Sequence, residues 1–499
     1  MRIACIYSLE SYTSVVRPLP HWNYFPFGLS MIAAVLERAG HTVECWVICP
    51  GSDLSAVADD ILVRFGAEVA ACTAVSTQFP IIERFAKLLK QRSPALHTIL
   101  GGHHATLASE AAIASPWIDT ICVGEGDQAV VAYADALAAG RRPTGIPGLW
   151  VKDLETGEIE KTPPVPFYAD LDSLPFVNRD HWSRWVNNPD RSSVIVLGRG
   201  CPFLCTYCSN HALKSVTTGK FVRFRSPDNV MAEIEQLAAA LPELEYVYLE
   251  VETIGAIPRY AMELSERLAA FNAGRERPVR FGTNLSVTTR LVSDAQELER
   301  FLAALARGNI TSVNIGLESG SERIRNEILK RPRYTNADII AFCQAARRHG
   351  INVHLFVLLG LPTETPAEFA ETAAVARDCQ PADLFLSIFY PYPGTDLYRM
   401  AREMNLFDPS RIRPTAERSR AYLDLPGFPK WRIMLEYSIF YYRVYRGRWP
   451  MTRILAYSVR QVLNCVPALV SLFRFAVDRS PLLRQVRRIL KARIAAPAA

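Results

Sequence analysis

The chain has 499 residues, of which 49% are hydrophobic, 21% charged and 10% aromatic. At roughly 150 residues per domain this length predicts two or three domains, and the ordinary globular composition excludes a mainly disordered, collagenous or coiled-coil chain. The formal charge is +6, but residues 411–499 hold 18 Lys and Arg against 4 Asp and Glu, so the basic character belongs to the C-terminal segment.

The cysteine count and the first residues bear on the compartment. Eleven cysteines is an odd number, and the opening residues, MRIACIYSLE, lack a basic region followed by an apolar signal stretch. Both features favour a reducing cytoplasm. No window of about 18 apolar residues lacks a charge, so we predict no transmembrane helix.

Residues 1–140 alternate short apolar runs with helical patterns, which predicts an open, mainly parallel α/β sheet of Rossmann-like type with helices on both faces. The predicted strands are RIACIYS, HTVECWVICP, EVAACTAVS, HTILGG and IDTICVG. Ligands bind such sheets outside the carboxyl ends of the strands. Three segments lie at those ends: residues 76–80, Gly101–His104 and Gly124–Asp127.

The rest of the chain predicts three further regions. Residues 141–192 are rich in Pro, Asp and Asn with weak periodicity, which indicates a linker. In residues 193–400, six strands alternate with helices, which favours a partial (β/α)6 barrel with its chemistry at the carboxyl ends of the strands. Residues 401–499 change to basic, amphipathic helical patterns rich in Tyr, Phe and Trp, which predicts an α-helical C-terminal domain.

A CxxxCxxC motif follows the first strand of the second predicted domain, where Gly200–Cys208 reads GCPFLCTYC. Thiolates of Cys201, Cys205 and Cys208 on one loop can converge on a soft metal centre, and three ligands leave one iron of a four-iron cluster open. The alternative is a zinc site, with His211 completing a Cys₃His tetrahedron.

This motif, followed by six strand–helix units, resembles the radical S-adenosylmethionine (SAM) superfamily. The resemblance implies that Cys201, Cys205 and Cys208 hold a [4Fe–4S] cluster, that SAM chelates the fourth iron, and that Tyr207 fills the family's aromatic position. An electron from a donor such as flavodoxin or ferredoxin would then cleave SAM to methionine and a 5′-deoxyadenosyl radical.

The resemblance also implies SAM-binding residues at the carboxyl ends of the next strands. At the second strand the match is partial, because the sequence has neither a glycine pair nor adjacent carboxylates, and exposed strand-end carboxylates are the alternative. The implied residues are Glu250 or Glu252 at the second strand, Asn284 at the third, Glu318 and Ser319 in GLESG at the fourth, and Gly360 before LPTE at the fifth.

In the first domain, GGHHAT and VGEGD resemble the GGPHxT and xGEGE motifs of the cobalamin-binding radical SAM subfamily. His103 replaces the usual proline, and no DxHxxG motif occurs, which implies cobalamin bound without a protein imidazole on cobalt. The alternatives are that His103 and His104 lie away from the cobalt, or that the sheet has lost its cobalamin site. The implied binding residues are Ser76, Thr77, Gln78, Gly101, Gly102, His103, His104, Thr106, Gly124, Glu125 and Gly126.

The resemblance implies C-methylation of an unactivated carbon with a methyl group carried by cobalamin. One alternative is oxidative cyclisation or rearrangement without methyl transfer, and another is a zinc-stabilised binding protein at a membrane surface. The basic, aromatic C-terminal region predicts a hydrophobic small-molecule substrate and peripheral contact with the inner face of the membrane. A helical cap on the barrel is the alternative for this region, and we expect no nucleic-acid partner.

Overall fold

The computed structural model describes residues 1–10, 12, 14–187, 189–413, 417–465 and 480. The chain forms two compact units. Unit 1 comprises Met1–Pro202, Cys208–Val251 and Tyr392–Gly394, and unit 2 comprises Phe203–Tyr207, Glu252–Pro391 and Thr395–Ala499.

Unit 1 contains a seven-stranded sheet in the order β2-β1-β3-β4-β5-β6-β7. The first five strands are parallel, and β6 and β7 add an antiparallel edge. The strand order reverses at β1, so the ends of β1 and β3 form the crevice where open α/β sheets bind ligands. The strands are β1 (Arg2–Ser8), β2 (Thr42–Ile48), β3 (Val69–Thr73), β4 (His97–Gly101), β5 (Thr120–Cys122), β6 (Leu149–Lys152) and β7 (Ile159–Lys161).

Helices cover both faces of this sheet, because its central strands are apolar on both sides. This confirms the predicted Rossmann-like architecture. The helix that begins at Leu54 is α-helical over Leu54–Asp59 and continues as a π-helical segment over Asp60–Phe65. The helices are α1 (Phe27–Arg38), α2 (Leu54–Asp59), α3 (Phe79–Arg92), α4 (His103–Leu107), α5 (Ser109–Ala114), α6 (Ala129–Ala138), α7 (Asp180–Ser183), α8 (Ser209–Lys214) and α9 (Pro227–Ala240).

The segment 141–192, expected to be a linker, contributes strands β6 and β7 to the first sheet. These strands have only four and three residues, and β7 is mostly exposed. Such short edge strands carry little hydrophobic alternation, which explains why the sequence pattern did not reveal them.

The six strands predicted after residue 193 are all present. Unit 1 holds the parallel pair β8 (Ser192–Val196) and β11 (Tyr246–Glu250), together with an antiparallel pair, β9 (Gly198–Arg199) and β10 (Arg223–Phe224). Unit 2 holds four parallel strands in the order β15-β14-β13-β12. These are β12 (Arg280–Leu285), β13 (Ile310–Glu318), β14 (Asn352–Leu359) and β15 (Asp383–Ile388).

Most helices of unit 2 begin after a Thr or Asp whose side chain caps the first turn. At α14, Pro366 takes the first position, and Thr365 and Glu368 form a reciprocal capping box. The helices are α10 (Pro258–Asn272), α11 (Thr289–Val292), α12 (Ala295–Arg307), α13 (Asn336–Arg348), α14 (Pro366–Cys379), α15 (Asp396–Glu403), α16 (Lys430–Tyr445) and α17 (Met451–Asn464).

The C-terminal helices combine packing with exposure. Helix α16 packs on α14, where Phe440 meets Phe369 at a ring distance of 5.3 Å, and the Tyr441 hydroxyl donates to the Leu384 carbonyl at 2.7 Å. Among the described residues no helix is long and apolar enough to cross a membrane. The part of the predicted helical domain at 466–479 and 481–499 lies outside the described residues.

Candidate active site

The three motif cysteines lie on the loop that follows β9. Gly200 opens this loop with φ of +86°, and a Cβ there would lie 2.2 Å from the Phe221 carbonyl oxygen, so only glycine fits. Cys205 is buried, Cys201 and Cys208 are half-buried, and none of the three is disulfide-bonded. The loop therefore presents three thiols in reduced form, with its entry fixed by a glycine.

Arg331 supplies positive charge to this loop. Its Nη1 donates to Cys205 Sγ at 3.7 Å. Burial raises the pKa of the Cys205 thiol, and the Arg331 guanidinium acts in the opposite direction. Beside Cys208, the His211 ring donates from Nδ1 to the Cys208 carbonyl at 2.5 Å, which ties the imidazole to its own helix.

Glu318, the last residue of β13, is the centre of a buried hydrogen-bond network. The Tyr207 hydroxyl donates to Glu318 Oε1 at 2.9 Å, and Arg331 donates to the Tyr207 oxygen at 3.2 Å and to the Gly316 carbonyl at 2.6 Å. Burial raises the pKa of Glu318, against the effect of Arg331 and the Tyr207 hydrogen bond. A Cβ at Gly316 would lie 2.3 Å from Glu318 Oε1, so the motif glycine makes room for the carboxylate. The predicted residues Tyr207 and Glu318 thus meet in a direct hydrogen bond, and Arg331 binds the Tyr207 oxygen.

Ser319 is fully buried, and its hydroxyl forms hydrogen bonds within the protein. Its Oγ lies 3.4 Å from Thr372 Oγ1 and accepts from the Ser321 N–H at 3.2 Å. A Cβ on Gly320 would lie 2.5 Å from Thr372 Cα, so this turn is packed tightly against α14. Ser319 therefore fixes the turn after Glu318, and its contact with SAM stays a prediction.

Gly360 begins a turn that closes on a buried acid. Its φ is +76°, and its N–H donates to Glu364 Oε2 at 2.7 Å, while the Leu361 N–H donates to the same oxygen at 3.3 Å. Glu364 is 1% exposed, and burial raises its pKa to about 8, against the effect of these two bonds. Oε1 has no partner among the described residues, so the turn holds a neutral carboxyl with an unused oxygen.

The other residues that the resemblance assigns to SAM binding are Glu250, Glu252 and Asn284. Glu250 ends β11 and is half-buried, and Glu252 is exposed. Asn284 on β12 is half-buried, and its Oδ1 accepts from Asn314 Nδ2 at 3.2 Å. All three roles stay predictions.

In unit 1, the segment after β3 brings polar groups to the carboxyl end of the sheet. Gln78 bridges two backbone segments, since Nε2 donates to the Ser8 carbonyl at 2.8 Å and Oε1 accepts from the Val75 N–H at 3.1 Å. Ser76 Oγ lies 3.1 Å from His104 Nδ1. Thr77 is 3% exposed, and its hydroxyl has no partner among the described residues. Gln78 therefore stabilises the carboxyl end of the sheet, whereas the Thr77 hydroxyl is available for a further hydrogen bond.

The segment after β4 contains a required glycine and a neutral histidine. Gly102 has φ of +90°, and a Cβ there would lie 2.6 Å from Thr73 Oγ1, whereas a Cβ on Gly101 would meet nothing within 4 Å. His104 stacks on Phe79 at 4.2 Å, and burial lowers its pKa to about 4, so the ring is neutral at pH 7. His103 is exposed.

The segment after β5 is anchored by an ion pair. Both Glu125 oxygens accept from Arg223, at 2.9 and 2.7 Å, and Oε2 also accepts from the Tyr168 N–H. The Gly124 N–H donates to Thr106 Oγ1 at 3.1 Å. A Cβ on Gly126 would meet Cys122 Sγ at 3.2 Å, which is tight packing against the sheet. Thr106 and Glu125 thus fix the loop from inside the protein.

Family models match the two regions that contain these sites. Residues 195–376 match the Radical SAM superfamily, and residues 22–134 match the B12 binding domain. The chain is a cobalamin-dependent radical SAM enzyme. Its cofactors are a [4Fe–4S] cluster, SAM and cobalamin, as the sequence resemblance implied, and the zinc-stabilised binding protein is set aside.

Curated relatives include methyltransferases and a cyclase. An uncharacterized methyltransferase of Pyrococcus horikoshii is 27% identical over 76% of this chain and 79% of its own length. The anaerobic magnesium-protoporphyrin IX monomethyl ester cyclase of Rubrivivax gelatinosus is 25% identical over 77% of this chain and 68% of its own length. The hopanoid C-3 methylase of Methylococcus capsulatus is 26% identical over 54% of this chain and 49% of its own length.

Solved structures share the fold. The radical SAM methyltransferase TsrM from Kitasatospora setae, with cobalamin and a [4Fe–4S] cluster bound, matches with a TM-score of 0.63 and 18% identity over 81% of this chain and 78% of that one. The cobalamin-dependent radical SAM enzyme OxsB matches with a TM-score of 0.66 and 12% identity over 98% of this chain and 74% of that one.

The residues of this radical SAM enzyme fit the chemistry of both metal cofactors. In the part of the chain that the structure describes, no group of three or more His, Cys, Asp or Glu side chains is gathered as a metal site. The fit to the cluster therefore rests on the donor set, three reduced cysteines on one loop beside Arg331. For cobalamin, Ser8 Oγ, Thr77 Oγ1 and His104 Nε2 are buried polar atoms without partners among the described residues.

Several residues of these sites were missed by the sequence patterns. Arg331 and Arg223 lie far in sequence from Cys205 and Glu125, the residues to which they donate. Glu364 lies within a turn that the sequence pattern marks by its glycine and proline. Glu364 was detectable, because it occupies the acidic position of the LPTE turn. The two arginines belong to no motif.

Proposed function

We propose that the enzyme transfers a methyl group to an unactivated carbon of a hydrophobic metabolite. The strongest support is that one chain contains both the cysteine loop beside Arg331 and a B12-binding sheet with polar atoms that lack a partner among the described residues, Thr77 Oγ1 and His104 Nε2, at the carboxyl ends of its strands. Relatives over about half or more of this chain are named as methyltransferases or methylases, including the cytidylyl-2-hydroxyethylphosphonate methyltransferase of Streptomyces wedmorensis.

When bound, SAM at the cluster supplies a 5′-deoxyadenosyl radical, and cobalamin supplies a methyl group. Cys201, Cys205 and Cys208 would hold the iron, and Arg331 would stabilise the Cys205 thiolate by a charge-assisted hydrogen bond. Tyr207, held by Arg331, orients the Glu318 carboxylate, which would accept a hydrogen bond from a cationic or hydroxyl group of SAM.

Other residues offer hydrogen bonds to the cofactors. Neutral Glu364 can donate a hydrogen bond from its unused oxygen in a buried turn. Thr77 and neutral His104 offer hydrogen bonds to cobalamin, and the open space beside Gly101 allows close approach to the backbone. A donor such as flavodoxin or ferredoxin supplies the electron.

The second candidate is an oxidative cyclisation without methyl transfer. It is favoured by the cyclase relatives of Rubrivivax gelatinosus and Cereibacter sphaeroides, which are 25% and 26% identical over 77% and 80% of this chain. SAM labelled in its methyl group separates the two candidates. Label in the product supports methylation, and an unlabelled, oxidised product supports cyclisation.

The first experiment measures iron, sulfide and cobalamin in protein purified without oxygen. The variant combines Cys201→Ala, Cys205→Ala and Cys208→Ala, and Cys465→Ala, directly after α17, is the matched control. We expect the triple variant to lose about four irons and to retain cobalamin, and the control to retain both. Iron unchanged in the triple variant, or no cobalamin in the wild type after reconstitution, would contradict the proposal.

We also propose that the exposed apolar face of α17 contacts an anionic membrane. Its residues Met451, Leu455, Val459 and Val462 are 50%, 56%, 55% and 49% exposed, and the surrounding segment is basic. Deleting the chain from Lys430 would remove the packed helix α16, so point substitutions are the better test.

Leu455→Glu/Val459→Glu should abolish flotation with vesicles that contain anionic lipid. Val63→Glu, at an 80% exposed position of unit 1, is the control and should float like the wild type. Equal flotation of the double variant and the wild type would refute the membrane contact.

A further inference from the structure

Strands β14 and β15 of unit 2 expose aromatic side chains on one of their faces. Along β14, Val353, Leu355, Val357 and Leu359 are at most 5% exposed and lie on the face that α13 and α14 cover. The alternate residues therefore lie on the opposite, inner face. There Phe356 of β14 is 38% exposed, and its register partner Phe385 of β15 is 47% exposed.

The two rings form one flat apolar surface. Their centroids are 5.2 Å apart with an interplanar angle of 25°. On the other side of Phe356, the register partner on β13 is Gly316, which has no side chain to cover the ring. Stacked aromatic rings of this exposure in the interior of an enzyme fold are typical of a surface that receives a ligand.

A row of polar side chains borders the rings on the same face. Asn284, Asn314, His354 and Asp383 are successive register partners across β12, β13, β14 and β15. Asn314 donates to Asn284 at 3.2 Å and accepts from His354 Nδ1 at 3.2 Å. Burial lowers the pKa of His354, which favours the neutral ring, and because Nδ1 donates to Asn314, the neutral ring has its lone pair on Nε2. The row thus offers a fixed hydrogen-bond acceptor at the edge of the aromatic surface.

We propose that this inner face is the substrate subsite and that it selects a planar conjugated ring, stacked on Phe356 and Phe385, with a polar N–H or O–H edge towards His354. Glu318 Oε1 lies 2.3 Å from the place that a Cβ on Gly316 would take, and Gly316 is the register partner of Phe356, so the stacked ring lies near the residue that we assign to SAM. This inference rests on the proposed function and names its substrate class.

The test measures binding by equilibrium dialysis with the cofactor-loaded enzyme. The probes are protoporphyrin IX as a large conjugated ring, indole as a small one, and cyclohexanol as a saturated ring with a hydroxyl. We expect at least one conjugated probe to bind about tenfold or more tightly than cyclohexanol, and Phe356→Ala and Phe385→Ala each to weaken that probe by about tenfold. Phe356→Leu, which keeps apolar volume without a ring face, should weaken it by a similar factor.

The control is Tyr442→Ala, which removes an aromatic ring of similar exposure, 42%, from the outer surface of α16. It should leave the affinity of each probe within about twofold. The proposal is overturned if cyclohexanol binds as tightly as the conjugated probes, or if the two alanine variants and the control behave alike. Formation of 5′-deoxyadenosine without substrate is measured in parallel. Variants that still form it and bind the probe like the wild type contradict the subsite alone, whereas a wild type that holds no iron or no cobalamin contradicts the proposed function.

Discussion

Replacing Glu364 by glutamine should stabilise the enzyme by an amount that grows as the pH rises. The carboxyl is 1% exposed, and burial raises its pKa from 4.5 to about 8 in the folded protein. Above pH 4.5 the unfolded chain releases this proton and the folded chain keeps it, so the wild type loses stability as the pH rises towards 8. Glutamine has the same shape and does not titrate, so Glu364→Gln escapes this loss.

The magnitude follows from the two pKa values. Each pH unit between them changes the free energy of unfolding by about 1.4 kcal/mol, so the advantage of the variant should increase by about 3 kcal/mol between pH 5 and 7. The assay is guanidinium unfolding followed by fluorescence and circular dichroism at several pH values, with the same cofactor content in both proteins.

Glu368, four residues away on α14, is the matched control. Burial raises its pKa, but hydrogen bonds from Arg323 and Thr365 outweigh burial and lower it. Glu368→Gln should therefore destabilise the protein at neutral pH, and the loss should shrink as the pH falls towards the pKa of the carboxyl. A free-energy difference for Glu364→Gln that stays constant over the whole pH range would refute the raised pKa.

Two further predictions concern the B12-binding sheet. Gly102→Ala forces a φ of +90° on a residue whose Cβ would lie 2.6 Å from Thr73 Oγ1, so it should lower the free energy of unfolding by about 1–3 kcal/mol, measured by thermal unfolding. A Cβ on Gly101 would meet nothing within 4 Å, so Gly101→Ala should unfold like the wild type. It should nevertheless bind cobalamin more weakly in a visible titration. Equal melting of the two variants would contradict the first half. Glu125→Ala leaves Arg223, whose side chain is 3% exposed, without its carboxylate partner and should lower the free energy of unfolding by about 3–5 kcal/mol. The double variant Glu125→Ala/Arg223→Met should recover much of that loss. No recovery in the double variant would show that the ion pair is not the cause.

Much of the fold was predictable because it depends on local periodicity. The sequence pattern predicts helices over about Pro227–Ala240 and Pro366–Cys379, and α9 and α14 have these bounds, since their N-terminal caps are encoded within four positions. The short antiparallel strands β6 and β7 were not predicted, because an exposed edge strand of three or four residues has almost no pattern of its own.

For the candidate site, the sequence by itself determined the residues whose chemistry depends on spacing along the chain: the thiols of Cys201, Cys205 and Cys208, and the glycines of the GLESG and GGHHAT motifs. It could not indicate that Arg331 lies against Cys205, 126 residues earlier, or that Arg223 pairs with Glu125 across 98 residues. Nor could it assign a neutral state to Glu364, because the pKa depends on burial. Only the tertiary structure decides such properties, since charge pairing and desolvation depend on distances in space that spacing in sequence does not fix.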